Sequence, residues 1–118
     1  MRVILPVDEE KDVICATFGR APYFAVYDTE TRTIELKENP ASQVQGGAGL
    51  KAAQFVLDCQ ADALITPRCG MNSAEVLQAA EIKIYKSEGM GVNQNIEAFE
   101  DGKLSVLMHF HGGYQGIR

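Results

Sequence analysis

Apolar and polar positions along the chain change period several times, and each change marks an element. Val3-Ile4-Leu5-Pro6-Val7 is apolar throughout, the pattern of a strand covered on both faces. Cys15 to Pro22 is irregular and is punctuated by Gly19 and Pro22. Tyr23 to Tyr27, rich in aromatic and β-branched residues, predicts a second strand, and Asp28-Thr29-Glu30-Thr31 a polar turn. Thr33-Ile34-Glu35-Leu36-Lys37 alternates with period two, so it completes a hairpin as a half-exposed strand that Asn39-Pro40 ends.

The second half changes to helical spacing. Gly46-Gly47-Ala48-Gly49 opens a helix on which Ala52, Phe55, Val56 and Cys59 form one apolar stripe, with Cys59 read as core. Ala63-Leu64-Ile65-Thr66 is a short buried strand. Asn72 with Glu75 three residues on has the capping-box pattern, which predicts a helix with Val76, Leu77 and Ala80 on its inner face. Ile82 to Tyr85 is another strand. Val92, Ile96 and Phe99 lie on a third helix closed by Asp101-Gly102. Leu104 to Phe110 can form a short strand, but Gly112, Gly113 and Gly116 point to a flexible tail. The order predicts an α/β domain of three layers, α/β/α, with a mixed sheet of about five strands and helices on both faces.

At 118 residues the chain is one domain, able to bury roughly 65% of its unfolded surface. Lys and Arg number 11 against 16 Asp and Glu, a net charge of −5. That balance opposes binding to nucleic acid or to an anionic membrane, both of which need a positive footprint. The first apolar stretch is too short for a signal peptide and runs into Asp8, Glu9 and Glu10. No apolar run approaches the ~20 residues of a membrane span. Three widely spaced cysteines, Cys15, Cys59 and Cys69, do not form a disulfide framework. The expectation is a soluble cytoplasmic protein; its oligomeric state is left open.

Three segments together resemble one family: Phe18-Gly19-Arg20-Ala21-Pro22-Tyr23-Phe24-Ala25-Val26-Tyr27-Asp28, Gly46-Gly47-Ala48-Gly49-Leu50-Lys51-Ala52-Ala53-Gln54, and Ala63-Leu64-Ile65-Thr66 followed by Gly70 and Asn72. They are similar to the dinitrogenase iron–molybdenum cofactor biosynthesis family, the NifX/NifB-type domain. The resemblance covers residues 1–102 and implies a ribonuclease-H-like motif. It also implies binding or carriage of an iron–sulfur or iron–molybdenum cofactor precursor, with a metallocluster and a cluster-donor or acceptor protein as partners. The expected division is a single domain over 1–118, with a core at 1–102 and a flexible tail at 103–118. In the family the loop after the fourth strand reads Gly-Asn-x-Gly-Pro-Asn-Ala; here it is Pro67-Arg68-Cys69-Gly70-Met71-Asn72-Ser73, a stiffer and more positive loop.

Candidate chemistry collects near that loop. Cys69 follows a strand and precedes a helix, the end of an α/β sheet where ligands bind. Beside Arg68 and a helix N-terminus its thiol is expected to have a lowered pKa and to ligate metal as thiolate. His109 and His111 alternate, so both imidazoles could reach one ion from a strand. Cys15, in the early loop, is a weaker metal ligand or a small buried thiol. Gly47, Ala48 and Gly49 offer helix-start N–H groups to an anion, with Arg20, Arg68 and Lys51 adding charge and Asn72 nearby. Gly47-x-Gly49-x-x-Ala52 formally fits a dinucleotide fingerprint, but no strand leads into it and no acid follows about 20 residues on. The leading expectation is a non-enzymatic carrier of an anionic metallocluster. Alternatives are a small structural or regulatory protein-interaction domain and a divalent-metal phosphotransferase. The last needs converging carboxylates, and only Asp8 closely follows the first strand. A Cys69 nucleophile with His109 or His111 has no orienting third group in the sequence.

Overall fold

A computed structural model of the chain describes residues 1–111. The elements run β1 (Arg2–Val7), β2 (Tyr23–Asp28), β3 (Thr33–Glu38), α1 (Ala48–Asp58), β4 (Ala63–Thr66), α2 (Met71–Ala79), β5 (Lys83–Lys86) and α3 (Val92–Glu100). One sheet has the order β3-β2-β1-β4-β5. β2 is antiparallel to β1 and β3, while β4 and β5 run parallel to β1. This is the mixed five-stranded α/β arrangement that the sequence pattern predicts, in the strand order of a ribonuclease-H-like motif.

Alternation along each strand assigns its side chains to two cores. Ile4, Phe24, Val26, Leu64 and Ile84 face α1 and α2, where Ala52, Ala53, Val56, Ala74 and Leu77 meet them. Val3, Leu5, Val7, Ala25, Tyr27, Ala63 and Ile65 face α3, against Val92 and Ile96. β1 and β4 therefore bury both faces, which is why their sequences are apolar runs instead of alternating ones. Phe24 holds the first core together by stacking on Phe55 and packing against Phe18, with ring centroids 5.7 and 5.5 Å apart.

Pro6 sits in the central strand, where a missing N–H would ordinarily break a ladder. The loop after β1 supplies the explanation. Asp8 N–H donates to the Val13 carbonyl at 2.8 Å and Cys15 N–H to the Pro6 carbonyl at 2.9 Å. Residues 13–15 thus lie along the end of β1, whose pairing with β4 is confined to Val3 and Ile4. Beyond that point β1 pairs with residues 13–15 instead of β4, and the loops that follow β1 and β4 border a crevice with the start of α1.

Four local expectations change. The N-cap of α2 is Gly70, without a side-chain cap, and Asn72 lies exposed within the first turn. Ala80 is the exposed C-cap of that helix, because the helix ends one residue before the stripe would bring it inward. Cys59 is the half-buried C-cap residue of α1 and only flanks the core. Residues 103–111, expected to begin a loose tail, form a strap around the β5 edge. Leu104 packs in the α3-side core and Leu107 in the other. Lys86 N–H donates to the Ser105 carbonyl and Leu107 N–H to the Ile84 carbonyl, both at 2.8 Å. The rest of the expected tail, 112–118, lies outside the described residues.

Leu64 is fully buried at the centre of the α1/α2-side core. Leu64→Ala is expected to cost about 3 kcal/mol through lost transfer energy and the cavity left behind, read as a lower urea midpoint with an unchanged slope.

Candidate functional site

The crevice is shaped by residues too small to keep backbones apart. A Cβ on Gly19 would lie 3.0 Å from both the Cα and the N of Gly49, so the 18–20 loop rests directly on the first turn of α1. A Cβ on Gly49 would come within 2.5 Å of the Ser73 hydroxyl, so the first turn of α2 closes in from the other side. Gly47 precedes α1 with φ 70°, the left-handed conformation that glycine adopts without penalty.

Hydrogen bonds then fix the loops. Asn39, only 3% exposed, donates from Nδ2 to the carbonyls of Gly19 (3.0 Å) and Ala21 (2.9 Å), and its Oδ1 accepts from Ala41 N–H at 2.9 Å. The Arg20 guanidinium donates to the carbonyls of Val44 (2.6 Å) and Gln45 (3.2 Å), steering the chain into Gly47. The Thr66 hydroxyl donates to the Arg68 carbonyl at 2.9 Å and turns the chain out of β4. His111 ends the strap at this point: its carbonyl accepts Met71 N–H at 2.7 Å, and its ring stands beside Gly70.

The result is a cleft of about 690 Å³, walled by residues 16–20, 47–50, 68–70, 72, 73 and His111. Of the sequence-predicted residues, Gly47, Ala48, Gly49, Arg20, Arg68, Asn72, Cys69 and His111 all line it. His109 lies outside, in an adjoining groove of about 740 Å³ that shares Arg68 and His111. Cys15 lines another groove of about 370 Å³ with Asp8 and Glu9, which shares Arg20 with the cleft. Among the described residues no three His, Cys, Asp or Glu side chains are grouped to hold a metal ion. The joint ligand set Cys69, His111, His109 and Cys15 is therefore not assembled, and neither is the carboxylate cluster that two-metal phosphoryl transfer needs.

Cys69 departs furthest from expectation. It is 1% exposed and packs within the α1/α2-side core, with its thiol set to donate to the Gly70 carbonyl at 3.6 Å. Burial pushes its pKa up to about 12, where a helix N-terminus and Arg68 had suggested a lowered value. Desolvation outweighs the helix because the sulfur lies among hydrocarbon. It forms part of the wall with its thiol protonated and packed among hydrocarbon.

What faces the cleft is amide and guanidinium. The first helical bond of α1 runs from Lys51 N–H to the Gly47 carbonyl at 3.0 Å, so the N–H groups of Ala48, Gly49 and Leu50 have no intrahelical acceptor. Arg68 is exposed at the rim, and among the described residues no Asp or Glu lines the opening, although the chain carries a net −5. Sequence reasoning did not single out Asn39 or Ser73. Asn39 reads as a strand terminator, and nothing local signals that its amide will be buried between two loops.

Comparison with known proteins agrees with this fold. Residues 1–102 match the model of a family described as dinitrogenase iron–molybdenum cofactor. The orange protein of Desulfovibrio gigas, solved in its apo form, superposes with a TM-score of 0.83 at 32% identity, covering 90% of this chain and 92% of that one. A Thermotoga protein solved by NMR and provisionally named NifB gives 0.79 at 34% identity, covering 98% of each chain. An uncharacterized protein of Methanocaldococcus jannaschii is 27% identical over 107 residues, 88% of this chain and 89% of that protein.

Two outcomes check the site. Gly19→Ala is expected to destabilise the fold by about 1–3 kcal/mol, because backbone must move to admit the methyl, and thermal melting reads the loss. Brief alkylation at pH 8 followed by mass spectrometry is expected to modify Cys15 before Cys69, which reacts only after unfolding. A raised folded pKa favours the protonated thiol, so its contribution to stability is whole below about pH 9 and declines as pH rises towards 12.

Proposed function

Because the chain belongs to the dinitrogenase iron–molybdenum cofactor family, we propose that it is a non-enzymatic module whose cargo is an iron–sulfur-rich metallocluster or cofactor precursor. The observation that carries this reading is the convergence of two helix first turns, Arg68 and His111 around one cleft that, among the described residues, no carboxylate lines. Clusters built from iron and sulfide are anions. Unpaired N–H groups and the positive end of a helix dipole attract such charge, and a guanidinium adds charge-assisted hydrogen bonds. The glycines matter because bare backbone lets a bulky inorganic surface approach the amides closely.

Holding cargo by amides and Arg68, without a sulfur ligand from Cys69, suits a carrier. The cluster leaves without breaking a protein–metal bond, and a donor or acceptor protein reaches it through the open mouth. His111 contributes a ring at that mouth. Cys15 and His109 line other grooves and take no part. Three free cysteines fit a reducing cytoplasm, and no helix among the described residues is long and apolar enough to cross a membrane.

Anaerobic reconstitution with iron and sulfide, followed by gel filtration and visible absorption, tests the proposal. Wild type is expected to elute with the chromophore. Arg68→Ala should bind about tenfold more weakly, while Cys69→Ala should load as wild type. A chromophore that never co-elutes would sink the reading; so would loading that depends on Cys69 and ignores Arg68.

A further inference from the structure

The alternation in β3 belongs to a strand with one face to bury, yet Ile34 is 43% and Leu36 41% exposed. Both lie on the α3 side, since they pair across the ladder with Tyr27 and Ala25. The core on that side draws on β1, β2, β4 and β5 and takes nothing from β3. Glu35 and Lys37 occupy the other face, 3.7 Å apart.

β3 also ends the sheet. Asn39 N–H donates to the Pro22 carbonyl at 3.1 Å, which sets the bonded positions of the β2–β3 ladder at Lys37, Glu35 and Thr33. The backbone N–H and C=O groups of Ile34, Leu36 and Glu38 consequently point outward, a template for another strand.

We propose that this edge pairs antiparallel with the same edge of a second copy of the chain, about a two-fold axis at Leu36. Leu36 exchanges both backbone bonds with the partner's Leu36, and Ile34 exchanges them with the partner's Glu38. On the opposite face Glu35 lies against the partner's Lys37, and Lys37 against the partner's Glu35. Sliding two residues either way sets Glu35 on the partner's Glu35, or Lys37 on the partner's Lys37, so charge selects one register. A two-fold interface must be self-complementary, and this strand satisfies that condition in hydrogen bonding and in charge.

One six-residue strand falls short of the roughly 800 Å² per partner of a standard interface, so association is concentration-dependent and weak. Antiparallel pairing sends the two clefts to opposite ends of the joined sheet, leaving both open. The interface stands independently of the cargo.

Sedimentation equilibrium from about 10 μM to about 1 mM reads the association directly. The average mass of wild type is expected to climb from monomer towards dimer. Glu35→Lys and Lys37→Glu each oppose like charges across the axis and should weaken association about tenfold. An equimolar mixture of the two restores it, because a strand with two lysines then meets a strand with two glutamates. Thermal melts confirm that both surface variants fold. A monomer at the highest concentration, variants that associate like wild type, or a mixture no better than its components would overturn the proposal. A β3 edge that takes up another protein's strand while the chain stays monomeric would do the same.

Discussion

The architecture depends on a contact between two backbones. Where Gly19 meets Gly49, no side chain separates the β1–β2 loop from the first turn of α1. Everything at the carboxyl end of the sheet follows from that approach. α1 can then bring its unpaired N–H groups to the crevice between the loops that follow β1 and β4, and Ser73 carries the start of α2 alongside. Larger residues at these positions would push the helices apart and flatten the cleft. Packing at this density leaves little slack, so positions with no chemistry of their own decide the shape of the site.

The electrostatics of the cleft rest on what is exposed and what is not. Arg68 is solvated at the rim, and Arg20 is committed to the loop carbonyls of Val44 and Gln45. Arg20 therefore builds the entrance to α1 more than it charges the cleft. Cys69 is one residue from an exposed arginine and immediately precedes the N-cap of α2, yet burial dominates its chemistry. Proximity to a helix dipole lowers a thiol pKa only if solvent or partners can also stabilise the thiolate.

The two edges of the sheet are treated differently. The β5 edge is covered by the 104–107 strap, which spends backbone hydrogen bonds on it and anchors a leucine in each core. Among the described residues nothing covers the β3 edge, and its two apolar side chains face solvent beside a charged pair. Alternating charge usually guards an edge against promiscuous pairing; a pattern that is its own complement permits one pairing and penalises its neighbours.

Element identity was legible from local pattern, because period-two and helical spacing are properties of neighbouring residues. Val3 to Val7 announced a doubly covered strand, and Gly47 and Gly49 announced the start of α1. Most of the cleft lining was legible too, since the residues at strand ends and helix starts converge in any open α/β sheet. Tertiary structure decided the rest. Whether Cys69 met water or hydrocarbon, whether Asn39 was buried, whether His109 joined His111, and whether 103–111 hung loose all depend on segments distant in sequence packing against one another. Burial and convergence are properties of the assembled fold, and no local window of residues contains them.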